Sequence, residues 1–307
     1  MKKNLLTILL LVLATPIFAW NAKGHMTVAA IAYNQLDSIQ KIQVTELLKS
    51  HPDYKDQWAV EYKNIKNDLE LGQYLMMRAS VWPDEIKNRN NPNKKYSRPE
   101  WHYITYKIKF ETHHDTTQVD GNVEPNVVWA IDHSTEMIKD NTQDQATRAM
   151  YMAWLIHLIG DVHQPLHCGS IFDASYPKGD KGGNGFYVKP SSSSVNLHAL
   201  WDGALGRGKT KDAVKIKNQS ALITQNQSQA ISGFSLEYNP RKWSIESFDH
   251  AVAEVHLNGD LKGSTDKTEA PSLPDQYTKD MQTLSEKRCL LAGKRLGTTI
   301  NNFISYL

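Results

Sequence analysis

Apolar residues recur at helical spacing through most of the chain. Between His25 and Leu36, the positions Val28, Ala29, Ile31, Ala32 and Leu36 make one apolar face, and Ile39–Leu48 repeats the pattern. Glu124–Met137 and Ala146–Ile159 predict two further helices, the second being apolar at nearly every position. Trp243–Val255 and Tyr277–Ile304 read as amphipathic helices at the C-terminal end. Two stretches break this period. Tyr106–Phe110 alternates like a short strand, and Asp173–Asn196 is rich in Gly, Ser and Pro, with Phe186–Val188 suited to one arm of a small hairpin. No internal repeat and no linker marks a boundary. The pattern therefore predicts a mainly α, single-domain fold with long functional loops and a small β-hairpin.

The first residues follow a different rule. Lys2 and Lys3 precede an apolar run, Leu5–Ile17, that is too short to span a bilayer comfortably. Small residues from Ala14 to Ala19 offer a cleavage point just before Trp20. Residues 1–19 are thus expected to be a signal peptide and 20–307 the exported domain, secreted or periplasmic after cleavage.

Charge then narrows the function. The chain has 35 basic and 33 acidic residues; without Lys2 and Lys3 the two counts are equal. A bulk basic surface for polyanions is excluded, so any phosphate-binding charge has to come from another source, bound metal being the obvious one. Only Cys168 and Cys289 are present, which excludes cysteine-rich zinc folds. Export would permit a disulfide between them; two separate buried thiols are the equal alternative.

The twelve histidines carry the chemistry. His51, His113, His114, His133, His250 and His256 have no patterned partner and are expected at the surface. In WLIHLIGDVHQPLH, by contrast, His157 and Asp161 are four apart, which places both on one helix face within reach of one ion. Pro165 is expected to end that helix, with His167 in the turn beyond. NLHALWDG repeats the spacing with His198 and Asp202. One such pair is explained by a helical hydrogen bond. Two pairs and a further histidine point to a divalent metal, because neutral imidazole with carboxylate is the ligand set of an open zinc site. Upstream, Asp84 follows Pro83, which is expected to keep the chain extended, and His102 lies between two aromatics. At the expected mature start, the Trp20 amino and carbonyl groups could chelate one ion with His25.

The pieces WNAKGH, WPDEI, WHY, HLIGDVHQPLH, GGNG, NLHALWD and AGKRL with Asn301 span nearly the whole mature chain. Together they resemble the zinc-dependent single-strand nucleases of the S1/P1 family, which has secreted fungal, plant and bacterial members. The resemblance implies a mostly helical fold of the zinc phospholipase C/P1 nuclease type with three zinc ions in a cleft. It implies one zinc on Asp84, His102, His157 and Asp161. A second would sit on the Trp20 amino and carbonyl groups, His25 and Asp161, making Asp161 a bridge. A third would sit on His167, His198 and Asp202. His163 is not expected to be a ligand, since it lies two residues past Asp161 and faces elsewhere.

Three dications against three carboxylates leave about +3 by formal count, enough to draw phosphate into a cleft on a neutral protein. The resemblance implies endonucleolytic hydrolysis of single-stranded DNA and RNA at the 3′ O–P bond, giving 5′-phosphorylated products, with removal of 3′-phosphates from nucleotides. Asp161 and Lys87 are the expected catalytic residues. Tyr103 is placed to stack on a base and Lys87 to contact phosphate. A monomer without a stable protein partner is expected. Fungal members carry an aspartate three residues beyond the position of His102; here it is Thr105, which calls into question a mechanism using that carboxylate as general base. The competing readings are a zinc phospholipase C, whose last metal-binding unit ends in glutamate rather than aspartate, and an exported zinc-binding protein without catalysis.

Overall fold

The computed structural model describes residues 20–110, 123–206, 212–303 and 306. Its helices are α1 (Ala22–Tyr33), α2 (Ser38–Lys49), α3 (Ala59–Tyr62), α4 (Leu71–Ala79), α5 (Trp82–Glu85), α6 (Val127–Lys139), α7 (Gln145–Asp161), α8 (Leu197–Asp202), α9 (Ala213–Gln227), α10 (Pro240–His250) and α11 (Tyr277–Phe303). Strand content is small. β1 (Tyr106–Ile108) pairs in parallel with β2 (Gly169–Ile171), and β3 (Tyr187–Val188) pairs antiparallel with β4 (Val195–Asn196). The expected mainly α fold, the short strand after Tyr106 and the small hairpin are all present.

α7 is the axis of the fold. Its sequence is apolar nearly all round, so it is buried on every side from Met152 to Asp161, packed by α1, α2, α4, α6 and α11. Its start is set by Asp144, whose carboxylate accepts from Thr147 N. α1 starts where the Asn21 side chain accepts from the backbone N–H groups of Lys23 and Gly24. It packs closely on α11 because Gly293 has no side chain: a Cβ there would lie 2.6 Å from Ile31. The same AGKRL segment supplies Arg295, which makes two hydrogen bonds to Glu246 of α10, at 2.6 and 2.9 Å. Losing one partner of so buried a pair costs about 3–5 kcal/mol.

The cysteine alternatives are decided in favour of separate thiols, and several expectations are corrected. Cys168 and Cys289 are free and buried: Cys168 Sγ donates to Val162 O at 3.6 Å, and burial pushes both thiols well above their usual pKa. Pro83 does not keep the chain extended. It sits in the first turn of α5, where its missing N–H has no helical partner to lose. α7 ends at Asp161 rather than at Pro165, which instead opens a short 3₁₀ turn, Pro165–His167. α4 and α9 lie outside the helices expected from periodicity; α9, in particular, buries only a few apolar positions.

His51 and His256 are buried, not exposed. His51 stacks on Trp58 with ring centroids 4.2 Å apart and accepts from Asp53 N, whereas His256 lies edge-on to Phe110 and Phe186. Aromatic contact holds both inside, and neither belongs to a metal cluster among the described residues. His133 and His250 are half-buried, the first stacked on Trp129 and the second paired with Glu254. His113 and His114 lie outside the described residues. Among the described residues, no helix is long and apolar enough to cross a membrane.

Candidate metal centre

The C-terminal end of α7 brings four segments of the chain together. Asp161 occupies the last helical position, one turn after His157. Asp161 Oδ2 lies 3.1 Å from His157 Nε2 and 2.9 Å from His102 Nδ1, and Oδ1 lies 3.3 Å from His25 Nε2. The His25 and His157 rings stack at 3.9 Å. Gly160 makes this possible, since a Cβ there would come within 2.8 Å of His25 Nδ1. Trp20 is fully buried beside these groups: its indole N–H donates to Gly160 O at 3.1 Å, and it folds back over Gly24.

Three sets of side chains converge closely enough to hold a metal ion. They are His25 with His157 and Asp161, Asp84 with His102 and His157, and His167 with His198 and Asp202. Every predicted side-chain ligand thus falls in a cluster. Asp84 Oδ1 lies 3.8 Å from His157 Nε2 and 2.7 Å from Lys87 Nζ. His163 stays out of the clusters. Its Nδ1–H donates to Ile159 O, and Nε2 accepts from Arg295 at 2.9 Å.

Tautomers are set by backbone carbonyls. Nδ1 of His157 donates to Ser80 O at 2.7 Å, Nδ1 of His167 to His102 O at 2.6 Å, and Nδ1 of His198 to Gly182 O at 2.7 Å. In its neutral form each ring therefore presents the lone pair of Nε2 towards its cluster, the arrangement that orients imidazole for a metal. The buried atoms His25 Nε2, His167 Nε2 and Asp161 Oδ1 have no hydrogen-bond partner in the protein. Leaving such groups unpaired costs about 1–3 kcal/mol each. A divalent cation would satisfy lone pairs of this kind, so the donor set fits one.

Electrostatics follow from burial. Burial alone would raise the Asp84 carboxyl, but Lys87 and the surrounding histidines outweigh it and hold the pKa at about 2. Asp161 is held well below the usual range, against its own burial, by His157, His167 and two hydrogen-bonding rings. Burial pulls His102 and His167 down to about 4, favouring the neutral rings that ligate. Burial also acts to lower His157, but Asp161 and Asp84 prevail and raise it. Asp202 is pushed well above the usual range by burial and by Asp84 and Asp161, a strong electrostatic demand for positive charge.

Several supporting residues have no sequence signal of their own. Gln164 lies within the HLIGDVHQPLH motif, yet only the fold shows its amide donating to Asp202 Oδ1 at 2.7 Å. Asp180 Oδ1 accepts from Ser170 Oγ at 2.7 Å and Ile171 N at 3.0 Å, clasping the glycine loop that carries the Gly182 carbonyl. Gly182 has φ of +60°, and a Cβ there would lie 2.4 Å from Leu166 O. Tyr103 is 46% exposed next to buried His102, and Thr105 is half-buried just before β1.

The fold and this histidine–aspartate centre define a class, helical proteins with a buried site able to hold metal ions, and comparison with known proteins gives the family. Residues 20–305 match the S1/P1 nuclease family model, and the chain belongs to that family. It is 27% identical to Endonuclease 4 of Arabidopsis thaliana, over 93% of this chain and 89% of the relative. Endonuclease 2 of the same plant is 25% identical over 97% and 94%. Nuclease S1 of Aspergillus oryzae is 25% identical over 62% of this chain and 56% of its own. The protein is therefore a phosphodiester-hydrolysing nuclease.

Proposed function

We propose that this nuclease is exported, cleaved before Trp20 and loaded with three zinc ions. It would then hydrolyse single-stranded DNA and RNA, as a monomer, at the 3′ O–P bond to give 5′-phosphorylated products and remove 3′-phosphates from nucleotides. The observation that carries this reading is the convergence of three buried histidine–aspartate clusters around the end of α7. Asp84, His102, His157 and Asp161 would hold one zinc. His25, Asp161 and the Trp20 amino and carbonyl groups would hold another, and His167, His198 and Asp202 the third. The family match begins at residue 20, which supports Trp20 as the mature start.

When bound, zinc would lower the pKa of water towards about 7 and polarise phosphoryl oxygens. The protein's own contribution is preorganisation. Backbone carbonyls fix the ligand rings, and the buried Asp161 carboxylate faces His25 with one oxygen and His102 and His157 with the other. The Lys87 ammonium sits beside Asp84, where it can contact a phosphate, and exposed Tyr103 offers a face on which any base can stack. With Thr105 at the position of the fungal aspartate, no carboxylate base comes from there.

A substrate panel on protein beginning at Trp20 tests the reading. Single-stranded DNA, RNA and 3′-nucleotides should be hydrolysed, duplex DNA only slowly and phosphatidylcholine not at all. Activity should vanish with a strong chelator and return with zinc. Full activity after complete metal removal, or a preference for phosphatidylcholine, would overturn it.

A further inference from the structure

Acidic and basic residues balance over the mature chain, yet not locally. Between Glu85 and Glu100 run fourteen residues, IKNRNNPNKKYSRP, with five cations and no acid: Lys87, Arg89, Lys94, Lys95 and Arg98. The segment is joined directly to the metal centre. Asp84 stands at its root, Lys87 Nζ lies 2.7 Å from the Asp84 carboxylate, and Lys94 Nζ donates to Lys87 O at 2.9 Å.

The loop holds a defined shape. Asn91 donates to Glu85 O at 3.3 Å, Asn93 donates to Asp53 Oδ1 at 2.5 Å, and Asn93 N donates back to Asn91 Oδ1. Arg89, Lys94 and Lys95 are exposed. Among the described residues no carboxylate pairs with any of them or with Arg98, whose guanidinium donates to the Lys95 and Ser97 carbonyls. Aromatic rings are interleaved with the charges: Lys95 lies over Tyr96 and Arg98 over Trp101. A fixed row of unneutralised cations suits a single-stranded polyanion, whose phosphates it can follow, and the half-buried Tyr96 lies among them.

We propose that the loop from Lys87 to Arg98 is a polynucleotide-binding rim, holding phosphates of a single strand beyond the one being cut. It rests on the nuclease reading above and adds that substrate length is sensed here: a long strand engages the rim and a dinucleotide does not. Lys87 belongs to the centre, whereas Arg89 and Lys95 belong to the rim alone.

The test is the Arg89→Gln/Lys95→Gln double variant, which leaves Lys94 in its contact with Lys87. Binding of a fluorescent, hydrolysis-resistant phosphorothioate 20-mer is measured by anisotropy across a salt series, and dinucleotide hydrolysis is assayed separately. The variant should bind the 20-mer several-fold more weakly at about 50 mM salt. The slope of log affinity against log salt should fall by about 1.4, for two lost phosphate contacts at about 0.7 each. Dinucleotide turnover should stay unchanged. Unaltered 20-mer affinity and slope would overturn the rim. Failure of the wild-type protein to hydrolyse dinucleotide or polymer would overturn the nuclease reading instead, and the binding comparison would still decide the rim.

Discussion

Asp161 Oδ1 lies 3.3 Å from His25 Nε2, joining the end of α7 to the first turns of α1 through two fully buried side chains. The other oxygen of the same carboxylate faces His102 and His157, so one side chain reaches ligands of both zinc sites proposed around it. Asp161→Asn should therefore damage both. Activity on single-stranded DNA should fall by more than about 100-fold, beyond the usual 10–100-fold effect of losing a residue that merely supports a ligand. Bound zinc, measured by elemental analysis, should fall as well. Lys87→Ala should lower activity less and leave zinc content intact. Equal, mild effects of the two substitutions would remove Asp161 from its bridging role.

The Trp20 indole N–H donates to Gly160 O, so a chain cleaved before Trp20, as proposed, would begin beside the centre. A protein carrying one extra alanine before Trp20 should bind less zinc and lose most of its activity. An extended form with full zinc content and full activity would refute coordination by the terminal amine.

Support for His198 comes from a distance. The Ser170–Asp180 pair clasps the glycine loop, and Gly182 O fixes the His198 ring. Asp180→Asn should weaken one of the three proposed zinc ions by about 10–100-fold in chelator competition and spare the other two. Gly182→Ala should do at least as much harm, given its positive φ and the nearby Leu166 carbonyl. A uniform loss of all three ions, or no loss, would contradict this division of labour.

Acid should destabilise the protein through histidines outside the centre. Burial pulls His51 and His256 down to about 3, from an ordinary value of 6.5. Because the folded pKa is depressed, the unfolded chain binds more protons between those values. Their neutral state is thus no handicap above pH 6.5, and stability falls as pH drops from 6.5 towards 3. Each group contributes a slope of up to about 1.4 kcal/mol per pH unit. Urea melts at pH 7, 5 and 4 should show the fall, and His256→Phe, among Phe110 and Phe186, should flatten it. A variant with the same pH dependence as wild type would show that His256 is not one of the groups responsible.

Much of the site could be read from local spacing. His157 with Asp161 and His198 with Asp202 share helix faces because 3.6 residues per turn makes position i+4 a neighbour. Clear periodicity likewise marked α1, α2, α6, α7, α10 and α11. α4 and α9 escaped notice because short or mostly polar helices carry a weak pattern and depend on tertiary packing. His51 and His256 were misplaced for a related reason: polar neighbours in sequence say nothing about Trp58, Phe110 and Phe186 arriving from elsewhere.

By itself, then, the sequence determined the helical class, the two His–Asp units and the family to which their order belongs. Only the tertiary structure decided which ligands share a cluster, that Cys168 and Cys289 stay apart, and that the Ser80, His102 and Gly182 carbonyls orient the rings. Those choices rest on close approach between segments far apart in sequence, such as Trp20 and Gly160, 140 residues apart. Such approach depends on where small residues and buried helix faces let the backbone pack, and one-dimensional spacing does not encode that distance.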